Sequence, residues 1–193
     1  MPTSGRRELN RRRAMTALAE AVGERGYPDT TVSHVLEGAG MSRRTFYQLF
    51  GNREECFLAA YDHARAEVLA ALEQACDPGQ PLSERLAGVL SGVLAHLADR
   101  PAFARVLVVD PASAGATALE RHERTMGALA DRLEHLQLDP ARLPPRERRL
   151  RCEARVGALH RVVQARIVEG RTADLPRLAP ELAGIVRRLG TGG

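Results

Sequence analysis

Arg43, Arg44, Tyr47 and Gln48 stand within one short segment at spacings that put them on the same side of a helix, while Thr45, Phe46, Leu49 and Phe50 turn to the other side. A guanidinium on such a face can bond O6 and N7 of guanine through two parallel hydrogen bonds, a pairing that discriminates against a wrong base by about 1–3 kcal/mol. A short helix with an apolar back and this front suits the major groove of DNA, where residues near the helix N-terminus reach base edges.

That chemistry needs a platform, and the preceding residues supply one. Val32, Val35, Leu36 and Ala39 fall at helical intervals, with Ser33, His34 and Glu37 facing elsewhere. Gly40 ends this first short helix, because glycine adopts the left-handed conformation that a sharp turn requires. Met41 fills the corner, and Ser42 has the side chain to cap the second helix. Two amphipathic helices joined at a glycine also occur in bundles that never touch DNA; charge separates the two readings. All 28 basic residues are arginine. Residues 1–53 hold nine of them against five acidic residues, and residues 54–193 hold nineteen against nineteen. The net charge of +4 therefore sits in residues 1–53, with the helix-turn-helix, an electrostatic footprint for phosphate.

Other classes find little support in the residues. No apolar run approaches the roughly 18–20 residues that cross a bilayer, and the N-terminal segment MPTSGRRELNRRR lacks the apolar stretch of a secretory signal, so a cytoplasmic protein is expected. Cys56, Cys76 and Cys152 are odd in number, widely spaced and without a CxxC, which predicts reduced thiols rather than a disulfide framework or zinc site. The histidines at 34, 63, 96, 122, 135 and 160 form no ligand spacing with them. Neither HExxH, a phosphate-cradling glycine loop nor GxSxG occurs; no enzyme, cofactor or metal is expected. A helical enzyme or a protein-binding scaffold stands as the remote alternative.

Almost the whole chain reads as helix. A first helix over about 7–25 ends at Gly26-Tyr27-Pro28, and its opening cluster Arg6, Arg7, Arg11, Arg12 and Arg13 either reaches phosphate or forms a solvated end. Asn52 with Glu55 resembles a capping box opening a long helix to about Cys76, which the Asp77–Pro81 segment breaks. A helix of about 17 residues follows, then a short one with Phe103, Val106, Leu107, Val108 and Val109, for which strand is the alternative. After the loop DPASAG, residues from about 116 to 137 place Leu119, His122, Met126, Leu129, Leu133 and Leu136 on one seam. LDPARLPP reads as a turn, and helices over about 146–169 and 175–189 precede a tail, GTGG, expected to be flexible. The pattern predicts an all-α protein of about nine helices, a three-helix helix-turn-helix domain over 1–52 and a larger helical bundle over 53–193.

Over about residues 10–60 the chain resembles the TetR family of bacterial transcriptional regulators. The residues that carry the likeness are a first helix ending in Gly-aromatic, then TTVSHVLEGAGMS, then RRTFYQLFGNREECF, in register. The resemblance implies that Arg43, Arg44, Thr45 and Gln48 face bases, that Tyr47 contacts a phosphate or thymine methyl, and that Thr31, Ser42 and Arg53 hold phosphates. It also puts Ser33 within reach of a base or the backbone. Leu36, Arg44 and Leu49 depart from the family's usual residues, and the last two leave the operator sequence open. The family further implies a homodimer through the last two helices, here offering Leu159, Val163, Ile167, Leu178, Leu182, Ile185 and Leu189, with intramolecular core as the other reading of those residues. It implies as well a small-molecule pocket among the middle helices, for which Tyr61, Leu90, Phe103, Leu107, His122, Met126 and His160 are the candidates and an apolar ligand is expected. The function that follows from the resemblance is a repressor released from a palindromic operator by its ligand; a TetR-like activator, or a regulator without ligand, is the alternative.

Overall fold

Apolar residues at steps of three and four, interrupted by Gly and Pro at the joints, leave the backbone one economical way to satisfy its hydrogen bonds. The structure is a computed structural model that describes residues 3–77, 79–135 and 143–189. Among the described residues it has ten α-helices, one 3₁₀ helix and no strand. The α-helices are α1 (Thr3–Asp29), α2 (Val32–Ala39), α3 (Arg43–Leu49), α4 (Arg53–Ala75) and α5 (Leu82–Asp99), followed by α6 (Pro101–Val108), α7 (Pro111–Ala114), α8 (Ala116–His135), α9 (Pro145–Val168) and α10 (Ala179–Arg188). The 3₁₀ helix spans Thr172–Leu178. No helix among the described residues is long and apolar enough to cross a membrane.

The fold is therefore all-α, as expected, with one α-helix more than the sequence suggested. The extra element is α7, a single turn where DPASAG reads as loop; Pro111 opens it because a first-turn residue needs no backbone N–H partner. The segment RVLVV is helical rather than extended. Ala104, Val106, Leu107 and Val108 are all buried, so α6 is covered on most of its surface, and Arg105 is its one charged side chain. Leu175 and Leu178, expected to begin the last α-helix, lie in the 3₁₀ helix instead, because Pro180, in the interior of the expected helix, has no N–H for the Pro176 carbonyl. Leu119, placed on the α8 seam by its spacing, is 41% exposed, and Ala118, Thr125, Ala130 and Leu133 are the buried positions of that helix. Leu136, most of LDPARLPP and the tail GTGG fall outside the described residues.

The helices form two compact units. The first comprises the chain up to Ala66 together with Arg100–Leu119, and the second comprises Glu67–Asp99 and the chain from Glu120 onward. Within the first unit α6 and α7 pack against α1. The core of the first unit joins Ala14, Leu18 and Val22 of α1 to Val35, Phe46, Phe57, Tyr61 and Val106. α1 is interrupted at Gly26, whose φ of 78° and ψ of 162° lie outside the helical region, so the chain turns at Tyr27–Asp29 before α2.

In the second unit Leu86, Leu90, Leu94 and Leu97 line the buried side of α5, which packs on the 3₁₀ helix and α10. Arg149 of α9 pairs with Asp131 of α8, and the rings of His160 and His122 lie 4.8 Å apart. These two pairs set α8 and α9 antiparallel.

Candidate nucleic-acid interface

A helix of seven residues is marginal by itself, so α3 must be held by its ends and its back. At its start the Ser42 hydroxyl accepts from the Thr45 amide at 3.1 Å and sits 2.9 Å from the Thr45 hydroxyl. At its end Phe50 is extended and its amide reaches the Phe46 carbonyl at 2.9 Å. Phe46 and Phe50 are buried, and their rings lie 5.6 Å apart. From α1 the Arg11 guanidinium lies over the Phe50 ring, 4.6 Å from its centroid, and donates to the Leu49 carbonyl at 3.5 Å. This places a cation at the carbonyl end of the helix, where the dipole favours it.

The turn before α3 is equally specific. Thr31 caps α2: its hydroxyl accepts from the His34 amide at 3.4 Å, and His34 Nδ1 accepts from the Thr31 amide at 3.2 Å. An imidazole thus fills the place that a carboxylate usually takes in a capping box. Gly40 closes α2 in the left-handed region with φ of 57°, and the Arg13 guanidinium comes so close that a Cβ there would meet it at 3.1 Å.

On this frame Thr31, Ser33, Ser42, Arg43, Arg44, Tyr47 and Gln48 are exposed, and Thr45 and Arg53 are half-buried. Arg43 is not left to wander: its Nη2 donates to the Ser33 hydroxyl on α2 at 3.3 Å. Tyr47 packs edge-on against Phe46 with centroids 5.5 Å apart, leaving its hydroxyl end outward. Arg53, at the start of α4, turns inward. Its Nη1 donates to the carbonyls of Thr30, of Tyr27 at 3.1 Å and of Pro28 at 3.5 Å, and its guanidinium lies 4.1 Å from the Tyr27 ring centroid. Behind it Asn52 caps α4 through the Glu55 amide at 2.8 Å, while the Glu55 carboxylate accepts from the Gly51 amide at 2.7 Å. The result is a rigid surface whose front is guanidinium, amide and hydroxyl.

The other candidate residues divide between the units. Tyr61, Phe103 and Leu107 lie in the first, with Tyr61 fully buried; Leu90, His122, Met126 and His160 lie in the second. His122 and His160, chosen from different helices, are brought into ring contact. Among the dimer candidates Val163, Ile167 and Leu182 are buried within the chain, Leu159 and Leu178 are half-buried, and Ile185 and Leu189 are exposed by 41% and 52%. Among the described residues no group of three or more His, Cys, Asp or Glu side chains could hold a metal ion.

Residues 15–60 match the bacterial regulatory proteins of the tetR family, and these are the residues that form the back of α1, α2, α3 and the first turns of α4. Over residues 15–60 the chain carries a tetR-family DNA-binding domain. In its sequence it is 30% identical over 91 residues to the HTH-type transcriptional regulator BetI of Brucella suis, a match covering 47% of this chain and 46% of that one. The chain thus spans about half the length of the curated relatives it matches. In fold it is similar to the fatty acid degradation regulator FadR of Bacillus halodurans, with a TM-score of 0.81 at 17% identity over 94% of this chain and 95% of that one. FadR of Bacillus subtilis, solved in complex with stearoyl-CoA, is similar with a TM-score of 0.75 at 19% identity over 94% and 98%. At such identities the likeness is one of fold, over 94% of this chain.

Three residues of structural weight escaped sequence reasoning. Arg11 was one cation in a basic run, and nothing in that run distinguishes it from its neighbours. Asp110 lay in an apparent loop, yet it is 3% exposed and holds Tyr27 and Arg105. Arg155 is the largest fully buried side chain; its place three residues after Cys152 and one before Val156 on the inner side of α9 was the available signal.

Proposed function

We propose that this TetR-family protein is a homodimeric repressor that reads a palindromic operator through α3 and leaves it on binding a small molecule. The observation that carries the reading is the exposed row of Arg43, Arg44, Tyr47 and Gln48 on a helix fixed at both ends. Arg43, held by Ser33, is the choice for a guanine contact, with Arg44, Thr45 and Gln48 beside it on the bases and Tyr47 on a phosphate or thymine methyl. Thr31, Ser42 and the Arg53 edge opposite its occupied Nη1 take phosphates, together with the free amides of the first turns.

Homodimerisation is supported by the apolar side chains that α9 and the residues around α10 leave outside: Leu150 and Val168, Ile185 and Leu189 are all more than two-fifths exposed. A two-fold pair sets two α3 helices about 34 Å apart, one turn of the duplex, which is why the operator is proposed to be palindromic. Ligand release is supported by the similarity to FadR of Bacillus subtilis, which was solved with stearoyl-CoA bound. Leu90, His122, Met126 and His160, all of the second unit, are the residues proposed to meet a ligand with an apolar body in a cytoplasmic protein. The ligand can switch the reader only by binding one arrangement of the dimer more tightly than the other.

Selection of bound sequences from random DNA, followed by gel shift across salt concentrations, tests the reading. A specific palindrome should emerge, with a log-log salt slope of about −0.9 per phosphate neutralised. Undiminished affinity after Arg43→Ala and Arg44→Ala together would remove α3 from the reader. A reporter carrying the selected operator then separates repression, in which expression rises on deleting the protein, from activation, in which it falls.

A further inference from the structure

The corner between α6 and α7 carries a carboxylate that neither the reader nor the proposed ligand site uses. Asp110 is 3% exposed. Its Oδ1 accepts from the backbone amide of Tyr27 at 3.4 Å, 83 residues earlier in the chain, and its Oδ2 lies 3.0 Å from Nε of Arg105 in an ion pair rather than an aligned hydrogen bond. Tyr27 is the residue that follows the break at Gly26, and Thr30, Arg53 and Phe57 are tied to it. Its carbonyl accepts from the Thr30 amide at 3.1 Å and from Arg53 at 3.1 Å. Its ring sits between the Arg53 guanidinium, 4.1 Å away, and the edge of Phe57, 4.9 Å away. The Thr30 hydroxyl donates back to the Gly26 carbonyl at 2.8 Å, and the next residue, Thr31, caps α2.

We infer that Asp110 is a positioning residue for DNA reading: it fixes the Tyr27–Thr31 turn, and through that turn the start of α2, from the corner between α6 and α7. Arg53 holds the same turn from α4. The segment that aims the two short helices is thus clamped from two elements outside the helix-turn-helix, and a shift of either is felt at Thr31. A role in geometry rather than in stability accords with the cost of the group. Burial raises the Asp110 carboxyl above its ordinary value, more than Arg105 and the Tyr27 amide lower it. With its folded value raised, its contribution to stability is fullest below the ordinary carboxylate range and is lost as pH rises through the folded value, so at neutral pH the ion is held at a cost. An apolar residue would serve stability better there.

The inference rests on the reading of α3 as the DNA-contacting helix, and the test separates the two. Full-length Asp110→Ala and Asp110→Asn are compared with Arg43→Ala on the selected operator, with melting temperatures and amide exchange followed in parallel. Asp110→Ala is expected to bind about tenfold more weakly, within the usual range of coupling between sites, with faster exchange at the α2 amides and unchanged exchange at Ala14–Val22 of α1. Asp110→Asn, which retains an acceptor for the Tyr27 amide, is expected to recover binding to within about threefold, a rescue that rotamer-compatible hydrogen bonding allows. Wild-type affinity and exchange in Asp110→Ala, or an Asp110→Asn as weak as the alanine variant, overturns the inference. If Asp110→Ala does not fold, Asp110→Glu answers in its place: it displaces the acceptor by one methylene and should bind about fivefold more weakly, and wild-type affinity overturns the inference. Undiminished specific binding by Arg43→Ala and Arg44→Ala together, by contrast, overturns the reading of α3 itself.

Discussion

Arg11 holds Phe50 under its guanidinium at 4.6 Å and the Leu49 carbonyl at 3.5 Å, so a side chain from α1 closes the far end of α3. Substitution Arg11→Ala removes both contacts from a half-buried position. The expected loss is about 1 kcal/mol, the usual scale of one cation–π contact with a carbonyl cap, and Arg11→Lys restores only part of it because ammonium lacks the planar face. Urea unfolding of the three proteins checks this; equal midpoints for wild type and Arg11→Ala would show that the contact contributes nothing.

Ser42 and Thr31 start the two short helices through their hydroxyls. Replacement of either by alanine is expected to cost about 1 kcal/mol, and by glycine only a few tenths, since glycine leaves the amides open to water. The difference between the alanine and glycine variants in thermal unfolding is the measurement, and an identical loss from both would mean that capping is not what these hydroxyls do.

Arg53 spans three carbonyls and the Tyr27 ring at once. Lysine can match neither the fork nor the stack, so Arg53→Lys is expected to behave nearly like Arg53→Ala, each losing about 1–2 kcal/mol. A lysine variant as stable as wild type would reduce the site to a simple charge.

Cys56 is fully buried, and burial pushes its thiol from 9.0 up to about 12 despite the nearby Arg11 cation. A raised folded value means the neutral thiol is favoured in the fold: its contribution to stability is complete below 9.0 and is lost as pH climbs toward about 12. Between those limits wild type should lose stability with pH more steeply than Cys56→Ala, as followed by urea midpoints. In the native protein at neutral pH, half-buried Cys76 should react first with a thiol reagent, and Cys56 and Cys152 only on unfolding. Early modification of Cys56, read by mass spectrometry, would contradict this.

Ile185 and Leu189 point outward beside the buried Leu182 and Val186. Ile185→Asp with Leu189→Asp should therefore leave helicity intact while shifting sedimentation from dimer toward monomer. Val163→Asp, placed in the core, should unfold the chain. Dimers that persist in the double variant would move the proposed interface away from this face.

Much of the reader was legible along the chain. The steps of Val35, Ala39, Phe46 and Phe50 mark which sides of two helices are buried, Gly40 marks the turn, and Ser42 marks the next start, because each is a local rule of backbone and side chain. The outward row Arg43, Arg44, Tyr47 and Gln48 follows from the same periodicity. The last helix shows where local rules fail. Its apolar spacing runs on through Leu175 and Leu178, but Pro180 has no N–H for the Pro176 carbonyl, so a 3₁₀ segment precedes α10.

By itself, then, the sequence determined the all-α class, the helix-turn-helix and its polar front, since these depend on residues within a few turns of one another. Tertiary structure decided what holds that front in place. Arg11 finds Phe50, Asp110 finds the Tyr27 amide, and His122 meets His160 only when distant helices pack, and no spacing rule reaches across 39, 83 or 38 residues. Which leucines of α9 and α10 face the core and which face outward was decided there too. Periodicity gives a helix its apolar side; only packing shows how much of that side the chain itself can cover.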